Sequence, residues 1–170
     1  MNKFALAASM LLAVFACDAA AATLVGHVVG VSDGDTVTVL TAENRQFKIR
    51  LTGIDAPEKK QPFGAFAKET LARQLFGQPV TVEWSKTDRY GRILGKIEVD
   101  GVDANLEQVR EGSAWVYTQY LRELTIEDRR LYLEVEQQAK SEHAGLWRDT
   151  HPEPPWQWRK EKRAHHRIKG

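Results

Sequence analysis

Alternating polar and apolar positions predict three β-strands in the first third of the chain. In residues 36–40 and 46–51 every second position carries Val, Ile, Leu or Phe, which is the pattern of a strand with one buried face. Residues 24–31 are rich in β-branched side chains and glycine and are predicted to form a strand that precedes these two. The Asp33-Gly34 pair is a turn signal between the first two strands.

The pattern changes after residue 53, where helices and strands are mixed. Pro57 and Pro62 block regular pairing, so residues 53–62 are predicted to form a loop. Thr125, with Asp128 three positions later, resembles a capping box with Asp in place of the usual Glu or Gln, and it opens a helix. Helices are predicted at 66–76, 102–110 and 125–140, and strands at 80–84 and 93–99 around a Tyr90-Gly91 turn.

Five short strands with few helices cannot bury a core as one open sheet. Closing the strands into a small barrel removes their exposed edges. We therefore predict a mainly β fold with α-helices, namely a five-stranded OB-type Greek-key barrel with about three packed helices. This domain is predicted to span residues 23–150.

The first 22 residues are predicted to be a signal peptide. The apolar run at residues 4–16 is too short to span a bilayer comfortably, and three alanines at 20–22 fit a cleavage site. Cleavage there removes Cys17, the single cysteine, and a cysteine-free chain suits an oxidising compartment. We expect an exported protein, periplasmic or secreted, with no stable membrane span. The alternative is a lipoprotein tethered through Cys17.

Charge is distributed unevenly along the chain. The 24 Lys and Arg against 23 Asp and Glu give a formal net charge of +1, which suggests no strong attraction to a polyanion. Residues 156–170 nevertheless hold six Lys or Arg and one Glu, and residues 23–155 are acidic. The basic tail either attracts phosphates without sequence preference or is only a solvated terminus.

The segment 151–170 is predicted to form a Pro/Trp stretch followed by the basic tail. Pro152, Pro154 and Pro155 argue against a helix after residue 150. Two tryptophans, at 156 and 158, would be costly to expose, so the stretch is expected to lie on the body, with disorder from about Lys162. A metal role for the two histidines at 165–166 is not expected, because no acidic partner accompanies them.

Acidic residues recur in the predicted loops and strand ends. Asp33 and Asp35 are two positions apart and point to one side of an extended chain, and Asp55 and Glu58 follow in the next loop. Carboxylates on one side repel one another unless a cation neutralises them, and oxygen-only ligands suit a hard ion such as Ca²⁺ or Mg²⁺. Each of these short motifs alone is most often a solvated turn.

Two arginines accompany the acidic residues. Arg50 alternates with the inward-facing Ile49 and Leu51, and Arg92 follows the turn at 87–91. A guanidinium binds phosphate oxygens in bidentate fashion, and fixed cations lower the barrier of a phosphodiester that gains negative charge in its transition state. Together with a metal ion and carboxylates, the arginines suit phosphodiester hydrolysis.

Three segments of the chain resemble the signature segments of the staphylococcal nuclease (thermonuclease) family. They are Val31-Ser32-Asp33-Gly34-Asp35-Thr36-Val37, then residues 49–58 with Arg50 and Asp55-Ala56-Pro57-Glu58, then Thr87-Asp88-Arg89-Tyr90-Gly91-Arg92. Their order and separations match as well, and the resemblance covers about residues 25–147. It implies an OB-type barrel and a Ca²⁺-dependent nuclease that cuts DNA and RNA, leaving 3′-phosphate ends.

The resemblance also implies a role for each matching residue. Asp35 and Asp55 would ligate Ca²⁺ directly, with Asp33 nearby through water and a backbone carbonyl from Ala56, where the family pattern has Thr. Glu58 would orient or deprotonate the attacking water. Arg50 and Arg92 would bind the scissile phosphate and stabilise the transition state, and Tyr90 would contact the nucleotide.

Two further tyrosines are candidates for binding the substrate, and the resemblance also indicates the partners. Tyr117 and Tyr120 are candidates for substrate binding, whereas core packing is favoured for Trp115. The expected partners are DNA and RNA, with single strands favoured, and the protein is expected to be a monomer. The alternative to an enzyme is a non-catalytic OB-fold module of the envelope that binds single-stranded nucleic acid, and a Ca²⁺-binding structural domain would leave the two arginines unexplained.

Overall fold

The computed structural model describes residues 22–168. The predicted signal peptide up to residue 21, with Cys17, and the last two residues of the predicted tail lie outside the described residues. The strands are β1 (Ala22–Asp33), β2 (Thr36–Leu40), β3 (Gln46–Leu51), β4 (Ile54–Asp55), β5 (Pro79–Thr87), β6 (Ile93–Val99), β7 (Val102–Asp103) and β8 (Trp115–Val116). The α-helices are α1 (Gly64–Leu75), α2 (Ala104–Arg110), α3 (Ile126–Ser141) and α4 (Pro155–Ile168), and short 3₁₀ helices span Thr118–Glu123 and Gly145–Arg148.

Five strands form a closed barrel. The long strand β1 pairs antiparallel with β2 on one side and with β5 on the other, and β2–β3 and β5–β6 are also antiparallel. The barrel closes where β3 pairs parallel with β6, with Arg50 opposite Leu94. The prediction of a mainly β, OB-type five-stranded barrel is confirmed, and β7 extends the sheet at β6.

Inward-facing residues of all five strands form one apolar core under α1, α2 and α3. Val37, Val39 and Ile49 alternate with more exposed positions and are fully buried, as the period of two along the strands predicts. Thr125 caps α3 by accepting a hydrogen bond from the Asp128 amide at 3.0 Å, which confirms the predicted helix start. Among the described residues, none of the helices combines the length and the apolar character needed to cross a membrane.

Two local predictions are wrong. The loop predicted at 53–62 contains β4, which pairs antiparallel with β8. The Pro-rich C-terminal segment does form a helix, α4, which starts at Pro155 and continues through the part predicted to be disordered. Proline is compatible with the first helical position because its missing N–H has no intrahelical partner there and its φ is already helical.

The C-terminal segment lies on the body, as predicted. Gln61 donates from Nε2 to the Glu153 carbonyl at 2.6 Å. Trp156 stacks on Tyr117 with ring centroids 5.3 Å apart and meets Trp115 edge-on at 5.8 Å. Trp115 also packs against Trp147, so the prediction of core packing for Trp115 is confirmed, and this aromatic cluster fixes the start of α4.

Candidate active site

The turn between β1 and β2 carries the first two acidic residues. Asp33 accepts a hydrogen bond from the Asp35 amide at 3.2 Å. Gly34 fits only because it has no side chain, since a Cβ there would lie 2.6 Å from the Ala67 Cβ and 2.7 Å from the Ala56 Cβ. Gln108, which is fully buried, donates to the Gly34 carbonyl at 2.7 Å. The turn therefore packs closely against α1 and against Ala56, and Gln108 of α2 holds it by a hydrogen bond.

Asp35 is buried at the base of the site. Its Oδ2 accepts a hydrogen bond from the Ala56 amide at 2.8 Å, and its Oδ1 accepts one from the Thr36 hydroxyl at 3.1 Å. Burial raises the pKa of Asp35 to about 7, although the Arg50 charge opposes the rise and the neighbouring Asp33 and Asp55 add to it. The raised pKa of Asp35 is therefore mainly a result of its burial.

Arg50 joins the two buried carboxylates. Its Nη2 lies 3.1 Å from Asp35 Oδ2 and 2.8 Å from Asp55 Oδ1. Its Nη1 donates to the backbone carbonyls of Leu51 and Ile54 at 2.9 and 3.0 Å. The guanidinium is thus fixed by four contacts within the barrel and its loop, and the two carboxylates converge on one nitrogen.

Glu58 stands at the mouth of the site on the loop before α1. Its backbone amide donates to Gln61 Oε1 at 3.1 Å, and its carbonyl lies so close to Gly64 that a Cβ there would be 2.1 Å from it. Its side chain is 42% exposed, in contrast to the buried Asp55 behind it. Glu58 is therefore far more open to solvent than the buried Asp35 and Asp55.

A third arginine, Arg159 of α4, enters the site from the C-terminal segment. It donates from Nη2 to Asp55 Oδ2 at 2.7 Å and from Nη1 to Asp55 Oδ1 at 3.2 Å and Glu58 Oε1 at 2.9 Å. Burial disfavours its charged form, but the hydrogen bonds to Asp55 and Glu58 outweigh this and raise the pKa of Arg159. Asp55 is therefore bound by arginines on two sides.

Arg92 lies across the cleft on the turn between β5 and β6. Its Nε donates to Asp88 Oδ2 at 2.8 Å, and its Nη2 lies 2.7 Å from the same oxygen. Although burial acts in the opposite direction, hydrogen bonds from Arg92 and from the Tyr90 amide lower the pKa of Asp88. Tyr90 is 73% exposed at the tip of the turn, with the guanidinium of Arg89 5.4 Å from its ring centroid.

Tyr117 and Tyr120 form an aromatic wall beside the carboxylates. Their ring centroids are 4.8 Å apart, and Trp156 lies nearly parallel to Tyr117, at an interplanar angle of 11°. Burial, and after it the charge of Asp55, raises the pKa of Tyr117. Tyr120 is 42% exposed and is the more accessible of the two tyrosines.

One cleft of about 910 Å³ brings most of the predicted site residues together. Asp35, Asp55 and Ala56 are buried and do not line it. The predicted residues that do line the cleft are Asp33, Arg50, Glu58, Tyr90, Arg92, Tyr117 and Tyr120.

The donors at the base of the cleft suit a hard cation in their chemistry. Within residues 22–168, no three Asp, Glu, His or Cys side chains are grouped closely enough to hold a metal ion by themselves. Asp35 and Asp55 nevertheless converge on one Arg50 nitrogen, and a site of two carboxylates completed by water or backbone carbonyls is compatible with a divalent ion.

Sequence reasoning missed the place of Arg159 and Trp156 in the site. Both were counted only as parts of a Pro/Trp stretch and a basic tail. The signal was their spacing, because Trp156, Arg159, Lys160 and Arg163 fall on one side of a helix. The three prolines at 152, 154 and 155 argue against a helix, so the spacing alone does not predict this face.

Comparisons with known proteins agree with this geometry. The family model described as Staphylococcal nuclease homologue matches residues 48–149. The chain is similar to an uncharacterized endonuclease of Escherichia coli, at 39% identity over 90% of this chain and 96% of the relative. It is also similar to an uncharacterized endonuclease of Haemophilus influenzae, at 39% identity over 81% of this chain and 74% of the relative. A micrococcal nuclease of Shigella flexneri is 39% identical over 79% of this chain and 80% of its own length.

Proposed function

We propose a Ca²⁺-dependent cleavage of both DNA and RNA for this chain, which belongs to the staphylococcal nuclease family and is a nuclease. The observation that carries the proposal is the single Arg50 nitrogen within 3.1 Å of Asp35 and 2.8 Å of Asp55. It sets a phosphate-binding cation directly beside two carboxylates that suit a hard metal ion. A module that only binds nucleic acid has no need of an arginine combined with two buried carboxylates.

Glu58 is the residue that accepts the proton of the attacking water. Its carboxylate is exposed to the cleft, and a general base must reach the proton that it removes. The water oxygen forms a bond to phosphorus while the bond from phosphorus to the 5′ oxygen breaks. The 5′ oxygen takes a proton from solvent, so that the phosphate stays on the 3′ oxygen of the other fragment.

Arg50 and Arg92 stabilise the negative charge that the phosphate gains during this step. The contacts of Arg50 with backbone carbonyls and of Arg92 with Asp88 fix both guanidinium groups before substrate binds. Charges that are already oriented cost no reorganisation during the reaction. Tyr90, Tyr117 and Tyr120 line the same cleft and offer ring faces and hydroxyls to the nucleotides on either side.

Asp35 and Asp55 are the direct ligands that we propose for Ca²⁺, with Asp33 nearby and the Ala56 carbonyl as a further donor. The bound cation would act as a Lewis acid that neutralises charge on the phosphate. Arg159 now occupies both oxygens of Asp55, so it has to release at least one of them when the cation binds.

One assay tests the proposed cleavage. The purified mature protein is incubated with single-stranded DNA and with RNA, in Ca²⁺ or in chelator, and the product ends are identified. We expect cleavage only with Ca²⁺ and 3′-phosphate ends. Glu58→Ala and Arg92→Ala should each lower kcat by about 10²-fold or more, because fixed charges and bases contribute on that scale, while Lys48→Gln on the outer face of β3 should have no effect. Cleavage that persists in chelator would contradict the proposal.

We also propose that the protein is exported to the periplasm or the medium and acts there as a monomer. Support for the export comes from the residue pattern of positions 1–22, most of which lie outside the described residues. Cell fractionation and N-terminal sequencing test the export, and a mature chain that begins near Thr23 is expected. A chain that begins at a lipidated Cys17 would favour the lipoprotein, and light scattering of the purified protein reports its oligomeric state.

A further inference from the structure

One side of α4 faces the cleft. Trp156, Arg159, Lys160 and Arg163 all line it, and their spacing of three, one and three residues places them on one face of a helix. We call these four residues the cleft face of α4. Trp156 and Arg159 are tied to the body by the Tyr117 stack and by the ion pairs to Asp55 and Glu58, so the whole face is held against the cleft.

Two cations of this face have no carboxylate partner. Lys160 and Arg163 are exposed, and among the described residues no Asp or Glu lies within ion-pair distance of either. Three other cleft cations, Arg50, Arg92 and Lys86, each contact a carboxylate. Lys160 and Arg163 are therefore available to an anion in the cleft.

The cleft as a whole is positively charged although the body is acidic. Seven basic and four acidic side chains line it, and the buried Asp35 and Asp55 beneath it reduce this excess without cancelling it. The excess of positive charge lies at the two rims of the cleft. Lys160 and Arg163 of α4 lie on one rim, and Arg89, beside Tyr90 on the turn between β5 and β6, lies on the other. A strand that carries one phosphate per nucleotide would meet unpaired positive charge on both sides of the catalytic residues.

We infer that Lys160 and Arg163 of the cleft face of α4 form a phosphate-binding subsite for the nucleotides that flank the scissile phosphate. The inference rests on the proposed function. From Arg159, which touches Glu58, to Arg163 the helix advances about 6 Å, at 1.5 Å per residue. That distance corresponds to about two nucleotides of a stacked strand, at 3.4 Å each. Trp156 and Tyr117 supply aromatic surface in the same cleft, on the N-terminal side of Arg159 along α4.

The subsite suits a single strand of nucleic acid. The bound strand would run through a cleft whose walls carry both cations and aromatic rings, which is the combination that binds unpaired strands with little sequence preference. The contacts are to phosphates and therefore contribute to binding rather than to the bond-breaking step. The effect of removing them should appear in KM and in the salt dependence, with kcat preserved.

The double variant Lys160→Gln/Arg163→Gln tests the subsite. Steady-state cleavage of single-stranded DNA is measured with Ca²⁺ over a series of salt concentrations. We expect KM to rise about tenfold near 0.1 M salt, with kcat within twofold of wild type. The slope of log(kcat/KM) against log[salt] should become less steep by about 1.4, since each lost phosphate contact on a single strand removes about 0.7.

Two further variants separate the subsite from general effects. Lys48→Gln/Lys68→Gln removes the same charge from exposed residues that do not line the cleft, and it should keep the wild-type KM and slope. Lys160→Arg/Arg163→Lys keeps both charges on α4 and should keep the slope. Far-UV circular dichroism of each variant checks that α4 remains helical.

The inference is overturned if Lys160→Gln/Arg163→Gln keeps the wild-type KM and salt slope, or if kcat falls while KM is unchanged. Anisotropy of fluorescein-labelled oligo(dT) in chelator gives the same comparison of binding without turnover. A wild-type protein that binds this probe but cleaves nothing would refute the proposed function alone. A double variant that binds it as tightly as wild type, beside an active enzyme, would refute the subsite alone.

Discussion

Asp55 is bound by two arginines that come from different regions of the molecule and are held in different ways. Arg50 belongs to the barrel, is 13% exposed at its side chain and also donates to two backbone carbonyls. Arg159 belongs to α4, is 32% exposed, and its hydrogen bonds in the described structure go to the carboxylates of Asp55 and Glu58. The barrel arginine is held by backbone carbonyls as well as carboxylates, whereas the α4 arginine is held through carboxylates, so we expect it to exchange with a bound cation.

The largest expected effect is the loss of the fixed arginine. Arg50→Gln should lower kcat by about 10³-fold or more, on the scale at which an arginine stabilises a phosphoryl transition state. It should also destabilise the fold by about 3 kcal/mol, because the buried Asp35 loses its ion pair with Arg50 and Asp55 loses one of its two arginines. Denaturant unfolding measures this loss of stability, and it shows whether the variant is folded under the conditions in which its activity is measured.

The same substitution in α4 is the matched control for Arg50. Arg159→Gln should stay within about tenfold of the wild-type kcat, because Arg159 contacts the carboxylates rather than being fixed towards a phosphate. Equal losses of kcat in the two variants would show that the two arginines have the same role, and the distinction between fixed and exchangeable would be wrong.

The next effect concerns Gln108, which holds the turn that carries Asp33 and Asp35. Gln108→Leu should lower the free energy of unfolding by about 1–3 kcal/mol, because the carbonyls of Gly34 and Ala67 lose a buried donor. Activity should fall as well, since the turn with Asp33 and Asp35 is no longer held. Urea denaturation measures the stability, and Gln137→Leu on the exposed side of α3 should change neither quantity.

A smaller effect is expected on cation binding. Arg159→Gln should bind Ca²⁺ about tenfold more tightly, a gain of about 1.4 kcal/mol, because Asp55 no longer has a competing guanidinium. Isothermal titration calorimetry measures the affinity, and Arg167→Gln, further along α4, should bind like wild type. Weaker binding by Arg159→Gln would mean that Arg159 helps to shape the metal site rather than competing for it.

The smallest effect concerns the attachment of α4. Trp156→Ala removes the stack on Tyr117 and the edge contact with Trp115, and each aromatic pair contributes about 0.5–1.5 kcal/mol. Trypsin should then cut α4 several-fold faster at Lys160 and Arg163, as followed by mass spectrometry. Gln157→Ala, whose side chain is exposed, serves as the control, and equal rates in the two variants would contradict this attachment.

The site has a barrel half, which contains Arg50 and the acidic turn, and an α4 half, which contains Arg159 and Trp156. The two halves differ in how much of each the sequence could predict. The barrel half follows from local rules, since strand alternation places Ile49 and Leu51 inside and Arg50 on the other side, and glycine between Asp33 and Asp35 marks a tight turn. The resemblance to a family added roles for those positions. The assignments of metal ligands and catalytic residues stay predictions, because they concern a bound state.

The α4 half depends on contacts that no local rule contains. Arg159 meets Asp55 across 104 residues of sequence, and its position depends on Trp156 packing against residues of the segment after α2. Prolines generally predict the end of a helix, but Pro155 occupies the first helical position of α4, where proline is favourable. The short strand β4 could not be predicted either, because two residues are too few to show the alternation of polar and apolar positions that indicates a strand.

The parallel pairing of β3 with β6 has a consequence for the kinetics of folding. Arg50 lies in this pairing opposite Leu94, and Arg92 directly precedes β6, so the two arginines come together only when the barrel closes. Pairings between distant segments form slowly, because loop closure costs entropy before contacts form. Recovery of cleavage during refolding should therefore follow this late step, and a chain that has formed only its local hairpins carries all the catalytic residues without any activity.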